Sequence, residues 1–422
     1  MPKILRNKSS TDLDYPICRP SLDLDFTQEV LDERITFSRG SIGTRVNRNR
    51  LIETVAANQP RFDYDPVTGE CKGLLIEESR QNLIINSEDF GNASWGKFTS
   101  SIQTNIITAP DGNTTADKMV VTLAGTGGGY VIRDLSITSG TTYTASCFVK
   151  AAEFSSFAFV FQSNAFGSNL FARFNLSTGT LGTIDAGVTA SIQAFPNGWY
   201  RCIATATATS TISSGVQFRV SLRGDGTSGI YIWGAQLETG AFPTSYIPTT
   251  ASTVTRSADL VDMTGTNFSS WYNQTEGTIY TNNRIPYIPN PNVSLYFLIF
   301  GINVGNRHSI EQTTANGLTY ITQNSGGIQY WSTSGSGVLP VNTNRKTTYA
   351  YASSNNTTML AATSNQTYNF SQRSSRTDVY KSMTTLYLGR FGNSLYFLNG
   401  TIARFTYYPK KLKDNQLLYL TQ

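Results

Sequence analysis

The sequence predicts an all-β protein: two consecutive β-sandwich (jelly-roll) domains preceded by a small β-rich N-terminal arm or subdomain. Three observations carry that expectation. Only 14% of the 422 residues are charged while 12% are aromatic. Runs of strand formers are separated by Gly, Asn, Ser and Asp, which suits pleated, half-buried surfaces joined by tight turns. Sustained helix formers at a 3.6-residue period are almost absent. The series of strand-like runs changes character at one stretch, 229–249 (GIYIWGAQLETGAFPTSYIPT). There an apolar strand, with a small-residue break at Gly234-Ala235, runs into an exit punctuated by Gly240, Pro243 and Pro248. Proline removes a ladder donor and glycine relaxes the backbone, so the stretch reads as the last strand of one domain leaving for the next.

In chain order, residues 1–20 form a polar arm with Pro2, Pro16 and Pro20 and no apolar face, ordered only by docking on a partner if at all. Residues 21–82 read as a small β-rich region. Its strands are 22–26, where apolar and acidic residues alternate, 34–38 and 46–54, followed by a hairpin over 62–76 turned at Asp65-Pro66 and Thr68-Gly69. Its core is thin, which predicts packing on a neighbour. Residues 83–248 form the first sandwich, with strands expected at 82–86, 116–123, 129–135, 142–151, 156–162, 170–175, 191–195, 199–206, 216–222 and 229–233. A Thr/Ser/Ala linker spans 249–257. The second sandwich, 258–422, has strands at 277–281, 294–302, 318–323, 327–332, 347–352, 357–363, 384–389 and 400–408. Leu412, Gln416, Leu417 and Leu420 follow Pro409 at helical spacing, which predicts one terminal helix over 411–420.

A net charge of +5 is small for this length and gives no general drive toward nucleic acid. Arg34, Arg39, Arg45, Arg48, Arg50 and Arg61 do cluster in sequence. They suit either an anionic partner or pairing with carboxylates such as Asp23, Asp25 and Asp32. Cys18, Cys71, Cys147 and Cys202 lack CxxC spacing, and Cys147 and Cys202 stand in apolar strands, so buried free thiols are expected. Neither a signal peptide nor a membrane-spanning run is expected, and a soluble protein made in a reducing cytosol follows.

Catalytic signals are missing. The single histidine, His308, stands in a polar loop without a GxSxG, HExxH or GxxxxGK companion. The adjacent acids Glu77-Glu78 and Glu88-Asp89 would point to opposite faces of a strand. In the second sandwich, Glu276, Glu311, Asp378 and Asp414 would have to converge in pairs to cut a glycosidic bond. No enzyme is expected. Gly127-Gly-Gly129 reads as a flexible turn, and Arg223-Gly-Asp225 as part of a hairpin.

Asn197-Gly-Trp-Tyr-Arg201, with Trp233-Gly-Ala-Gln-Leu-Glu238 and Tyr246-Ile-Pro-Thr249, resembles the carbohydrate-binding-module-like jelly roll of bacteriophage tail-fibre and head-spike proteins. Leu74-Leu-Ile-Glu-Glu-Ser-Arg80, and Asn86-Ser-Glu-Asp-Phe90 with Trp95, resemble it too. Leu386-Tyr-Leu-Gly389, Leu398-Asn-Gly-Thr-Ile402 and Tyr408-Pro-Lys-Lys-Leu412 are similar to the closing strands and helix of laminin-G/concanavalin-A-like domains. The resemblance implies a virion protein of tail fibre, tail spike or head fibre, made in the host cytoplasm. It would adhere to host surface polysaccharide without catalysis, dock on other virion proteins through its N-terminal region and assemble as a homotrimer. A purely structural decoration or connector role stays open. Candidate ring platforms and polar contacts for glycan are Trp95, Tyr130, Phe166, Arg223, Tyr330 and Trp331. Arg34, Arg39, Arg45, Arg48 and Arg50 are the candidates for docking or interchain contact. The resemblance also implies a structural calcium held by an acid of the last strand. Here that place reads Tyr231-Ile-Trp-Gly234, with no carboxylate before Glu238, although Glu88 and Asp89 are at hand. No other cofactor or metal is expected.

Overall fold

The computed structural model describes residues 16, 18–123, 127–287, 295–303, 306–313, 318–324, 328–331, 341–352, 359–363, 366–370, 383–391 and 396–421. It is all-β with antiparallel sheets. Two compact units interleave along the sequence: residues 39–71 with 79–258, and residues 1–38 with 72–78 and 259–422. The N-terminal stretch 21–82 therefore contributes to both.

The sandwich of the first unit runs β1 (Gly96–Phe98), β2 (Ser100–Ile107), β3 (Ala116–Val121), β4 (Gly129–Ile137), β5 (Thr142–Ala151), β6 (Ser156–Phe161), β7 (Leu170–Asn175), β8 (Thr180–Ile184), β9 (Val188–Ala194), β10 (Trp199–Thr207), β11 (Ile212–Val220) and β12 (Gly229–Thr239). One sheet has the order β9-β10-β5-β12-β3-β2, the other β8-β7-β6-β11-β4-β1. The two sheets share their margins. Thr99, at φ 45°, carries the chain from the edge strand β1 straight into the edge strand β2. On the far side β8 passes into β9 by a short turn.

Alternation decides what is inside. In β6, Phe157, Phe159 and Phe161 point inward while Ala158 and Val160 point out. In β11, Val216, Phe218 and Val220 are core and Gln217 and Arg219 face outward. Phe90, Trp95, Phe157, Phe159 and Phe218 meet as tilted and edge-on rings, the arrangement favoured by the ring quadrupole. Cys147 and Cys202 face each other across β5 and β10 as buried free thiols.

The expected break at Gly234-Ala235 is a bulge instead. β12 continues to Thr239, and its register against β5 shifts between Ser146 and Phe148. Gly234 has φ 65°, and a Cβ there would lie 3.0 Å from the Phe148 ring, so glycine is required by both backbone and space. Past the bulge, Gln236 and Glu238 are buried. Gln236 Oε1 accepts from the Ile247 N–H at 2.7 Å, and Glu238 Oε2 from the Thr244 N–H at 3.0 Å. The proline-rich exit is thus folded back onto its own strand before the chain leaves.

In the second unit the strand Gly400–Tyr408 is central. It pairs with Glu276–Arg284 on one side, and on the other with Leu22–Asp25 and with Leu74–Ile76. The thin-cored N-terminal segment therefore supplies strands to this sheet. A second sheet runs through the strands Thr36–Ser38, Leu260–Thr264, Thr385–Leu388, Leu295–Asn303, Asn306–Thr313, Leu318–Asn324 and Ile328–Trp331. The terminal helix is Asp414–Thr421. It starts later than the leucine spacing suggests because the Lys411 and Leu412 N–H groups donate to Glu276 and Thr278 instead.

Candidate functional site

The outer face of the β8-β7-β6-β11-β4-β1 sheet carries the most developed surface arrangement of the sandwich. Register places Phe98, Tyr130, Arg219, Ala158 and Arg173 directly opposite one another on successive strands. Four strand spacings make this cross-strand row roughly 19 Å long. At one end the Phe98 and Tyr130 rings stack at 4.8 Å with 18° between their planes, and Phe98 is 49% exposed. The Arg219 guanidinium carbon lies 5.5 Å from the centre of the Tyr130 ring. Its Nη2 donates to the Gly127 carbonyl at 2.7 Å and its Nη1 to Gln217 Oε1 at 3.3 Å. At the other end Arg173 covers the Phe171 ring at 4.2 Å and pairs with Asp185 at 3.2 Å. Ala158 and Val160, on the same face between the two arginine–aromatic pairs, are buried beneath their neighbours.

The glycines before β4 make this register possible. Gly128 has φ 93°, and a Cβ on it would fall 2.0 Å from the Val220 carbonyl oxygen. Only glycine lets the strand start that close to β11 and set Tyr130 opposite Arg219. The rings offer apolar faces, and the guanidinium and amide groups offer donors and an acceptor. Groups of these kinds can stack on and hydrogen-bond a ligand.

Of the six ring and polar candidates read from the sequence, Tyr130 lies on this row. Trp95 and Phe166 do not. They are 2% and 4% exposed, Trp95 against Phe90 and Phe218 and Phe166 against Phe161. Trp95 Nε1 donates to the Asn86 carbonyl at 3.1 Å, so its polar loop folds over the ring and leaves no face for a sugar. Arg223 is exposed in the turn after β11. Its neighbour Asp225 is held well below the usual carboxylate range by the hydroxyl and N–H of Ser228 and the N–H of Thr227, as a turn-capping residue is. The side chains of Tyr330, Trp331 and His308 lie outside the described residues. Phe98, Phe171, Arg173 and Arg219 were not singled out from the sequence. The available signal was an arginine alternating with core residues in FARFN and QFRV, which turns it outward.

The arginines grouped in sequence have separate fates. Arg39 is 1% exposed and spends its guanidinium on backbone carbonyls, so it is an interior brace rather than a docking residue. Arg34 makes two hydrogen bonds to Asp32 at 2.8 and 2.7 Å, and Arg45 pairs with Glu53 at 3.0 Å. Arg48 and Arg50 are exposed.

The calcium implied by resemblance does not fit these residues. Among the described residues no group of three or more His, Cys, Asp or Glu side chains could hold a metal. The space beside Gly234 is filled by the Tyr246 ring. The Tyr246 hydroxyl is 2.7 Å from Ser87 Oγ and 3.1 Å from Glu88 Oε1. Burial, and secondarily Asp111, raise the Glu88 pKa, although the Tyr246 hydroxyl opposes the shift. Asp89 turns away to accept from the Asn92 N–H at 3.0 Å. Nearby, the carbonyls of Gly91, Asn92 and Trp95 converge on the Lys97 ammonium at 3.1, 2.9 and 3.3 Å, where a cation is already in place. Tyr246→Phe is expected to lower unit stability by about 1–2 kcal/mol, because Ser87 and Glu88 lose their shared partner. The wild-type melting temperature should be the same in chelator and in calcium, and a fall in chelator would refute the assignment.

The fold is an all-β sandwich, and this face is its row of stacked rings and guanidinium groups. No family model matches the chain, and no curated protein matches it in sequence. Among solved structures it is similar to the N-terminal CBM22-1–CBM22-2 tandem domain of Xyn10C from Paenibacillus barcinonensis, a pair of carbohydrate-binding modules. The identity is 10% and the TM-score 0.25, over 80% of this chain and 98% of that one. It is also similar to domains LG4-5 of the mouse laminin α1 chain, at 10% identity and TM-score 0.23, over 83% and 91% of the two chains.

Proposed function

We propose that the chain is a non-catalytic glycan-binding adhesin, and that its sandwich unit holds surface polysaccharide along the Phe98–Tyr130–Arg219 row. The observation that carries this reading is the stacked pair of exposed Phe98 and half-buried Tyr130 beside a fixed guanidinium. Exposed rings stack on apolar sugar faces, and a pair of this kind at the surface adds little to the core. The wider setting we propose is a phage tail fibre, tail spike or head fibre, trimeric in the virion and docked through its N-terminal region. It is supported by the sequence resemblance alone.

Affinity electrophoresis and calorimetry against a panel of purified polysaccharides test the binding. Phe98→Ala and Tyr130→Ala should each weaken it roughly tenfold or more with the melting temperature kept. Unchanged affinity in the double variant would remove the site from the proposal. A second reading is a decoration or connector protein that binds no sugar. Trp199, Trp233 and Tyr246, the most family-like aromatics, are all buried in one core cluster. Those motifs specify a fold and are compatible with either role. Failure to adsorb to any host cell, with antibody labelling at an internal joint of a particle, would favour it.

A further inference from the structure

The glycan reading leaves open what kind of sugar the row receives, and Arg219 bears on that question. Arg173, the other arginine of the row, is matched by the carboxylate of Asp185. Arg219 is not. Of its five N–H donors, those that are bonded go to neutral oxygens, the Gly127 carbonyl and the Gln217 amide. Nε is buried, so the remaining N–H groups of Nη1 and Nη2 are the ones that can meet a ligand. Other charged groups on this face stand away from it. Asp185 is taken by Arg173, and Asp134 lies four residues along β4 from Tyr130, roughly 13 Å away. A full positive charge is therefore held one strand from the stacked rings, already fixed by two hydrogen bonds and the Tyr130 ring.

We infer, resting on the glycan reading of this face, that the sugar seated beside Tyr130 is anionic and that Arg219 receives its carboxylate or sulfate. A planar guanidinium fits such an oxyanion through paired N–H groups. Prior ordering of the arginine reduces the entropy lost when the ligand binds. A neutral sugar would leave the guanidinium partly desolvated without a counter-charge, which the ring stack alone would not offset.

Matched polymers test this: polygalacturonate against its carboxyl-reduced form, and dextran sulfate against dextran, each cast in native gels. The full-length protein should be retarded at least tenfold more strongly by an acidic polymer than by its neutral partner, and the pair that responds separates carboxylate from sulfate. Arg219→Gln should reduce retention to the neutral level, while Arg50→Gln, an exposed arginine removed from the row, should leave it unchanged. Arg219→Lys, which keeps the charge but loses the planar fork, should fall between and serves if the glutamine variant does not fold. Retention by neutral polymers alone, abolished by Phe98→Ala, would overturn the anionic sugar and keep the glycan site. Equal losses from Arg219→Gln and Arg50→Gln would reveal general charge attraction and overturn it too. Retention by none of the four polymers would count against both readings.

Discussion

Phe218→Ala should destabilise the sandwich unit by about 3–5 kcal/mol, the range for removing a buried aromatic ring. Phe218 is fully buried in the middle of β11 and touches rings from three directions: Phe90 at 6.2 Å, Trp95 at 5.5 Å and Phe159 at 5.1 Å. Those rings belong to strands and loops fixed by both sheets, so they cannot close on the vacated space. A loss of that size is a large share of a domain's net stability. The check is urea denaturation followed by tryptophan fluorescence, since Trp95 reports directly on the vacated neighbour. A midpoint unchanged from wild type would mean that the sandwich core is not built around Phe218.

Arg39→Ala should be nearly as damaging, and Arg39→Lys should not rescue it. The Arg39 side chain donates to the carbonyls of Ser41 at 3.0 Å, Gln59 at 3.0 Å and Ala56 at 2.7 Å, with Val55 at 3.3 Å. Truncation strands several buried carbonyls, each at about 1–3 kcal/mol. Lysine has one point-like ammonium and cannot span the same set of acceptors. The exposed Arg50, substituted in the same way, should stay within about 0.5 kcal/mol of wild type. If Arg39→Ala melted like wild type, the arginine would not be an interior brace, and a surface docking role would again be open.

The contrast between these two arginines shows how far the sequence could be read. The all-β class was legible because alternation and turn chemistry are local. Strands such as Thr142–Ala151, Leu170–Asn175 and Gly400–Tyr408 follow from their own residues. Burial of an arginine is not local. Nothing adjacent to Arg39 announces that four carbonyls from 41–59 surround it. The site suffered in the same way. Trp95 stands in a polar sequence that suggests exposure, yet its loop folds over it. Phe98 lies in a three-residue strand too short for periodicity to show, and its meaning comes only from the register that brings Tyr130 and Arg219 alongside. Gly234 misled because a glycine inside a strand reads equally as a stop or as a bulge, and the facing strand decides between them.

The central strand Gly400–Tyr408 has a consequence for how the chain is made. Its partner Leu22–Asp25 is among the first described segments to be synthesised, and Asp23 and Arg404, which join across that pairing, are 381 residues apart. The sandwich strands β1–β12 are all complete before this strand exists, so their unit can close while synthesis continues. The strand Leu22–Asp25 must wait for this partner until residues 400–408 have emerged. High separation of contacting residues slows folding, and a waiting edge is where neighbouring nascent chains can pair wrongly. Removing Gly400–Tyr408 should therefore harm Leu22–Asp25 as much as the neighbouring strand Glu276–Arg284.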